Sequence, residues 1–247
     1  MAKDKIVVST IVYGDVEPLP YASHCNLWYR LGRDLPEYDF IFHSPWRVPI
    51  DTARNQAVLA ALQAEAKYLF FYDSDMVLQA NVIKTLLSRD KPAIMAMCWI
   101  RGYPFPPMVF HYDKENKAVM NKYEPTSEDY AQEIIQCDAI GTPCTLINVD
   151  VFKHIPEPWF LTGKYHTEDV YFCCKAREYV EGFECWVDLT VPSGHLLDGM
   201  VLQKDNVDAL RRFHAQGYSN YGYVTPKEEA IIIHKNPFIA EDNVTVS

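Results

Sequence analysis

In KYLFFYDSDMVLQ an apolar run ends on Asp73 and Asp75, with only Ser74 between them. Tyr68 to Tyr72 are consecutively apolar, the pattern of a strand covered on both faces, so the two carboxylates fall where that strand emerges. If the chain is still extended there, its two-residue period points both carboxylates one way and Ser74 the other. Two like charges that close repel unless solvent, a proton or a cation intervenes. The segment is therefore either a solvated turn, with aspartate as turn former, or a metal site. HTEDV offers a second pair, Glu168 and Asp169. Thr167 before them is a good N-cap, and acids in a first turn favour the helix dipole. In DTARNQ, Asp51 or Thr52 is placed to cap a helix with Arg54 on its exposed side. His195 stands in PSGHLLDG, where an ordinary loop histidine is the plain reading.

The elements that would carry these residues alternate. KIVVSTIVY reads as a buried strand, YASHCNLWYRLGR as a helix and YDFIFHS as a strand. DTARNQAVLAALQAEA is a helix whose apolar face is Ala57, Val58, Ala61 and Leu62. After the aspartates come a helix from about Asn81 to Ser88 and the strand PAIMAMCWI. Strands alternating with helices imply a mostly parallel, doubly wound α/β sheet with ligands at the carboxyl ends of strands. Thr10 and Tyr13, at the end of the first strand, are nucleotide-base contacts on that ground. Beyond Arg101 the chain turns Pro- and aromatic-rich, the mark of loops and short antiparallel strands. EIIQCDAIGTPCTLINVDVF then reads as strand, turn, strand and short helix. TEDVYFCCKAREYVEGFECWVDLTVPSGH reads as a helix, a turn at Gly182 and a strand ending near His195. One more helix, NVDALRRFHAQ, precedes YSNYGYV and AIIIHK.

Composition limits the function. The 247 residues are 49% apolar, enough for one sizeable core. The net charge of -10 disfavours a broad grip on nucleic acid or anionic membrane. Seven cysteines without a C-x-x-C pair suggest reduced apolar fillers rather than a disulfide framework or zinc ribbon. The opening MAKDKIVVSTIVYG lacks a signal-peptide core and AIMAMCWI is too short to span a bilayer, so a soluble cytoplasmic protein is expected. P-loop, G-x-S-x-G, H-E-x-x-H and G-x-G-x-x-G patterns are absent.

FFYDSDM, DAIGT, PWF, EDVYFCCKA and a later His together resemble the metal-dependent glycosyltransferases of the GT-A fold, closest to family-2-type enzymes and their small phage and bacterial versions. The likeness runs from about Lys5 to His195. It implies a GT-A (Rossmann-like) catalytic domain over residues 1–195, with helices on both faces of a mostly parallel sheet and a small antiparallel portion. Residues 196–247 would be an extension packed on it. It further implies Mn²⁺ or Mg²⁺ and a nucleotide-sugar donor, in the first instance a UDP-sugar. On that likeness Asp75 is the principal metal carboxylate, with Asp73 at the ribose and the metal, Ser74 in the same nucleotide-binding set, and His195 completing the metal shell. Asp169 becomes the base of an inverting transfer and Glu168 positions a hydroxyl. Arg54, in an A-R-N shared with small GT-A proteins, contacts the base or diphosphate. Gly141 admits the donor sugar closely, although Pro143 departs from the usual small residue. Trp159 and Phe160 are either stacking platforms or core.

Two rivals stay open. YDSDMV matches the nucleophile motif of haloacid-dehalogenase-type phosphatases, with Asp73 phosphorylated and Asp75 as acid and base; the motif follows the third strand here, where that class usually has it after the first. A non-catalytic nucleotide-sugar-binding protein is the other. Acceptors of the resembled family include saccharides, lipids, proteins and hydroxymethylated pyrimidines of phage DNA. Arg101, Lys204, Arg211 and Arg212 are candidate phosphate contacts for the DNA option, with a saccharide as the alternative acceptor.

Overall fold

Ile6, Val7 and Val8 on one strand and Leu69, Phe70 and Phe71 on another are each 0% exposed, as their unbroken apolar runs require. They form the centre of a computed structural model that describes residues 2–115, 120–164, 166–197 and 199–215. The elements are β1 (Asp4–Ile11), α1 (Pro18–Asp34), β2 (Tyr38–His43), α2 (Ile50–Gln63), β3 (Tyr68–Asp73), β4 (Met76–Val77), α3 (Val82–Ser88) and β5 (Ala93–Ala96). There follow β6 (Val109–Tyr112), β7 (Met120–Lys122), α4 (Ser127–Ala131), β8 (Ile134–Cys137), β9 (Ala139–Ile140), β10 (Cys144–Asn148) and α5 (Asp150–Lys153). The last are α6 (Glu168–Tyr179), β11 (Cys185–Asp188), β12 (Gly194–Leu197), β13 (Met200–Leu202) and α7 (Val207–Ala215). YSNYGYV and AIIIHK lie outside the described residues.

The central sheet has the order β2-β1-β3-β10-β5-β11-β8. β2, β1, β3, β5 and β11 run one way, while β10, between β3 and β5, and β8 at the edge run the other. Two small antiparallel sheets flank it, β13-β12-β4 and β7-β6-β9. The fold is thus mixed α/β with a mainly parallel central sheet. Its register sets Ile11 beside Asp73, so the ends of β1 and β3 share one edge of the sheet.

Two local expectations need correction. The strand that begins at Cys185 stops at Asp188, well before His195. Buried Asp188 takes the N–H and hydroxyl of Thr190 on one oxygen and Arg89 on the other, and this turns the chain. His195 belongs to the separate strand β12, so a domain boundary at residue 195 would cut that strand. α2 begins at Ile50, which puts Asp51 and Thr52 inside its first turn rather than at its cap. Arg211 of α7 donates to the carbonyls of Pro104 and Phe105, tying residues beyond 195 to the same body. Among the described residues, no helix is long and apolar enough to cross a membrane. All seven cysteines are free, and Cys25 is the exposed one.

Asn55 fastens the segment before α6 to α2. Its amide donates to the carbonyls of Asp51 and Phe160, each at 2.8 Å, and its oxygen accepts from the N–H groups of Trp159 and Phe160 at 3.0 and 3.1 Å. The amide is fully used. Asn55→Asp keeps the acceptors and removes both donors. Chemical denaturation should show a loss of about 1–3 kcal/mol, and an unchanged midpoint would show that this clasp adds nothing.

Candidate active site

Arg54, one turn into α2, is 2% exposed rather than on the solvent side of its helix. A buried guanidinium must have its donors matched, and this one does. Nη2 reaches both oxygens of Asp73 at 3.0 and 3.3 Å, Nε reaches Glu168 Oε1 at 3.1 Å, and Nη1 points to the Thr142 carbonyl at 3.3 Å. Burial disfavours its charge, but Asp73, Glu168 and Asp169 outweigh that and hold its pKa above the ordinary value. The single side chain joins α2, the end of β3, the turn before β10 and the start of α6.

Thr167 is the N-cap residue of α6 by position, yet its hydroxyl donates to Asp169 Oδ1 instead of capping the helix. The same oxygen accepts from the Val170 N–H at 2.8 Å. Asp169 is 6% exposed. Burial, then the charge of Glu168, push its pKa up to about 6 against the pull of Thr167 and Arg54. Burial also raises Asp73, with Asp75 and Glu168 adding to it and Arg54 opposing.

Asp75 lies just past β3, on the turn into β4, and faces His195. The pairing of β12 with β4 sets His195 opposite Met76, and the Leu196 N–H donates to the Asp75 carbonyl at 2.9 Å. His195 Nδ1 sits 2.9 Å from the Trp99 carbonyl. A carbonyl can only accept, so Nδ1 carries the hydrogen and Nε2 is the atom turned toward Asp75 Oδ2 at 3.3 Å. With a neutral ring, two lone pairs meet there. A proton on Nε2 or a cation between the two groups relieves that contact. Arg101 Nη1 contacts the same Oδ2 at 2.9 Å. Burial works to raise the Asp75 pKa, but His195 and Arg101 outweigh it and hold the carboxyl below its usual range.

Asp75 and His195 offer two donors of the types that a divalent ion takes. An imidazole whose other nitrogen is tied to a backbone carbonyl, beside a low-pKa carboxylate, is how proteins commonly present such ligands. Among the described residues no cluster of three or more His, Cys, Asp or Glu side chains is arranged to hold a metal. Asp73 is the expected ligand that departs, because Arg54 holds both its oxygens. The same bond removes the free carboxylate that a phosphatase nucleophile would need.

Other expected residues lie elsewhere than foreseen. Glu168 faces Arg54 and not an open cleft. Thr10 is buried, with its side chain against the Tyr72 hydroxyl, whereas Tyr13 is 73% exposed beyond β1. Ser74 is partly buried, and its N–H bonds the Ile11 carbonyl at 3.1 Å. Gly141 makes room for protein: a Cβ there would come within 2.5 Å of Met108 Cε and 3.1 Å of Met108 Cβ. Trp159 and Phe160 are core, 4% and 0% exposed, and Phe160 stacks on Phe172 at 4.8 Å. Arg211 is paired with Glu124 and Asp208, and Lys204 lies over the Tyr130 ring at 3.6 Å. Sequence reasoning missed Trp99, whose carbonyl fixes the His195 tautomer, and Thr142. No local pattern marks a backbone carbonyl for such duty.

The sequence profile of the Anp1 family, which is glycosyltransferase-like, matches residues 39–122, from β2 through β7. No curated protein matches the chain. The fold is similar to that of A197 from STIV, at a TM-score of 0.51 and 18% identity over 80% of this chain and 90% of that one. Weaker likenesses include the 4-diphosphocytidyl-2C-methyl-D-erythritol synthase of Anaerococcus prevotii, with a TM-score of 0.45 and 9% identity over 86% and 96% of the two chains. A UDP-glucose pyrophosphorylase complexed with UDP-glucose also matches, with a TM-score of 0.45 and 7% identity over 88% and 100%. The profile match and the sheet agree on a GT-A-like, Rossmann-type fold.

Asp169 makes stability depend on pH. A free aspartate titrates near ~3.9, so between there and about 6 the folded chain keeps a proton that the unfolded chain has lost. The native state then binds more protons, and stability falls as pH rises through that window. Urea denaturation across it should show Asp169→Asn gaining on the wild type as pH rises. Parallel curves would mean that Asp169 titrates as an ordinary surface acid.

Proposed function

We propose that the chain is a metal-dependent glycosyltransferase that moves a sugar from a nucleotide-sugar, in the first instance a UDP-sugar, to an acceptor hydroxyl with inversion. The observation that carries this reading is Arg54, which bonds Asp73 of the D-x-D and Glu168 beside Asp169 at once. That bond brings the segment suited to a diphosphate and the segment suited to a proton acceptor into one site. The Anp1 match over residues 39–122, which includes the D-x-D, supports the same class.

Asp75 and His195 would hold a divalent cation, Mn²⁺ or Mg²⁺, whose contribution when bound is to stabilise the negative charge on a departing diphosphate. Arg101, 53% exposed by its side chain and already on Asp75, can swing to a phosphate oxygen once a cation takes that carboxylate. Asp169 accepts the proton of the attacking hydroxyl. A base is most effective with a pKa near the working pH, and about 6 suits that task. Thr167 and the Val170 N–H hold one carboxylate oxygen in place and leave the other for the acceptor. Glu168 acts through Arg54 and positions the site.

The acceptor proposed first is the hydroxymethyl group of a modified pyrimidine in DNA, with a saccharide or protein hydroxyl as the alternative. Of the basic residues expected to serve DNA, Arg212 alone is exposed without a partner among the described residues, so the saccharide arm carries equal weight in the test.

Purified protein with Mn²⁺ should release nucleoside diphosphate from at least one nucleotide-sugar, and chelator should stop it. Transfer is then scored on hydroxymethylated DNA and on simple saccharides. Asp169→Asn should cut turnover by about 10²–10⁴ with little change in donor binding. Donor binding without turnover on any acceptor would favour a binding protein. A product of retained configuration would remove the base role from Asp169.

A further inference from the structure

β4 is two residues long, and its backbone groups need partners on both edges. On one edge β12 supplies them through Gly194, His195 and the Leu196 N–H. The other edge faces α1, and among the described residues no strand pairs with it. Two consecutive side chains of α1 take its place. His24 Nε2 is 2.8 Å from the Met76 carbonyl, and since a carbonyl only accepts, Nε2 carries the hydrogen. The Leu78 N–H donates to Ser23 Oγ at 3.2 Å, while that hydroxyl's own hydrogen goes to the Pro20 carbonyl at 2.8 Å. The C=O of one strand residue and the N–H of the residue two further on share an edge, so the helix mimics a neighbouring strand. Ser23 and His24 are each 8% exposed and Met76 is 0% exposed, so water cannot stand in for either group. The His24 ring also packs edge-on to Tyr72, its centroid 4.6 Å away, directly before Asp73.

We infer that Ser23 and His24 are positioning residues for the Asp75–His195 pair, an inference that rests on the metal-site reading above. Asp75 is held from one side by Leu196 and, one residue later, from the other by His24. Loss of the His24 donor leaves the Met76 carbonyl buried without a partner. The short strand then moves to find one, and the Asp75 carboxylate moves with it. A metal-binding pair works only when its members are held to within about 0.5 Å by the groups behind them.

Mn²⁺ affinity, read by electron paramagnetic resonance of the free ion, tests this without any turnover. His24→Leu keeps an apolar side chain of similar reach and removes the donor, whereas His24→Gln retains an N–H near the Nε2 position. Affinity should fall about 10–100-fold in the Leu variant and stay near wild type in the Gln variant. Wild-type affinity in a folded His24→Leu protein, or equal losses in both variants, would overturn the inference. Should His24→Leu fail to fold, Ser23→Ala removes the acceptor for Leu78 together with the donor to the Pro20 carbonyl and should weaken Mn²⁺ in the same direction; unchanged affinity there counts against the inference too. Absence of Mn²⁺ binding by the wild type would defeat the metal reading alone. The clamp is then judged by hydrogen exchange at the Leu196 amide of metal-free protein. Faster exchange in His24→Leu but not in His24→Gln supports it, and equal exchange refutes it.

Discussion

The buried guanidinium of Arg54 is the interaction that brings the end of β3 and the start of α6 together. Taking one charge out of water is costly, and in a folded chain it survives only with close partners and few idle donors. Arg54 has two carboxylates and a carbonyl. Breaking such a pair by removing one member typically costs about 3–5 kcal/mol because the remaining charge is stranded. The requirement works over distance in sequence, since Arg54 and Glu168 are 114 positions apart. Meeting it draws the start of α6 down onto the end of β3. Asp169, one residue past Glu168, is then buried beside that network without a direct bond to Arg54. Burial and its neighbour's negative charge together outweigh the pull of Thr167 and Arg54, and its own charge is the one left costly.

The second constraint is a strand pairing. β4 and β12 share so few residues that neither would persist alone, and a sheet this small needs packing behind it. Pairing fixes the register, and the register decides which residue of β12, His195, meets Asp75. The two halves of the site are thus held by different physics. An ion network in the interior sets Asp73 and Glu168. Backbone hydrogen bonds, completed by side chains of α1, set Asp75 and His195.

Much of this was legible in the sequence, for reasons that also explain what was not. Runs such as Tyr68 to Tyr72 announce burial on both faces, and a carboxylate at the end of such a run must either reach solvent or find a partner. The edge of the sheet that gathers Asp73 and Asp75 followed from alternating strands and helices. Periodicity reports how deeply a residue is buried and is silent on what it touches. Arg54 has the residue type of a surface position, and only the fold shows that two acids await it. The direction of β10 could not be read because a short apolar strand looks alike in either sense. Gly141 illustrates the same limit. A glycine signals that something comes close, and Met108, not a sugar, is what comes close in the folded chain. Phe160 was open between platform and core until Phe71 and Phe172 were seen on either side of it.

The central claim is that Asp75 and His195 receive a divalent cation beside a nucleotide diphosphate. Crystals grown with Mn²⁺ and a UDP-sugar, measured for anomalous scattering near the manganese edge, locate that ion without reference to any assumed chemistry. The account predicts one strong peak at about 2.0–2.6 Å from an Asp75 oxygen and from His195 Nε2, with Arg54 still bonded to Asp73 and Glu168. A peak elsewhere, or a bound nucleotide beside an Asp75 and His195 still in direct contact, would contradict it.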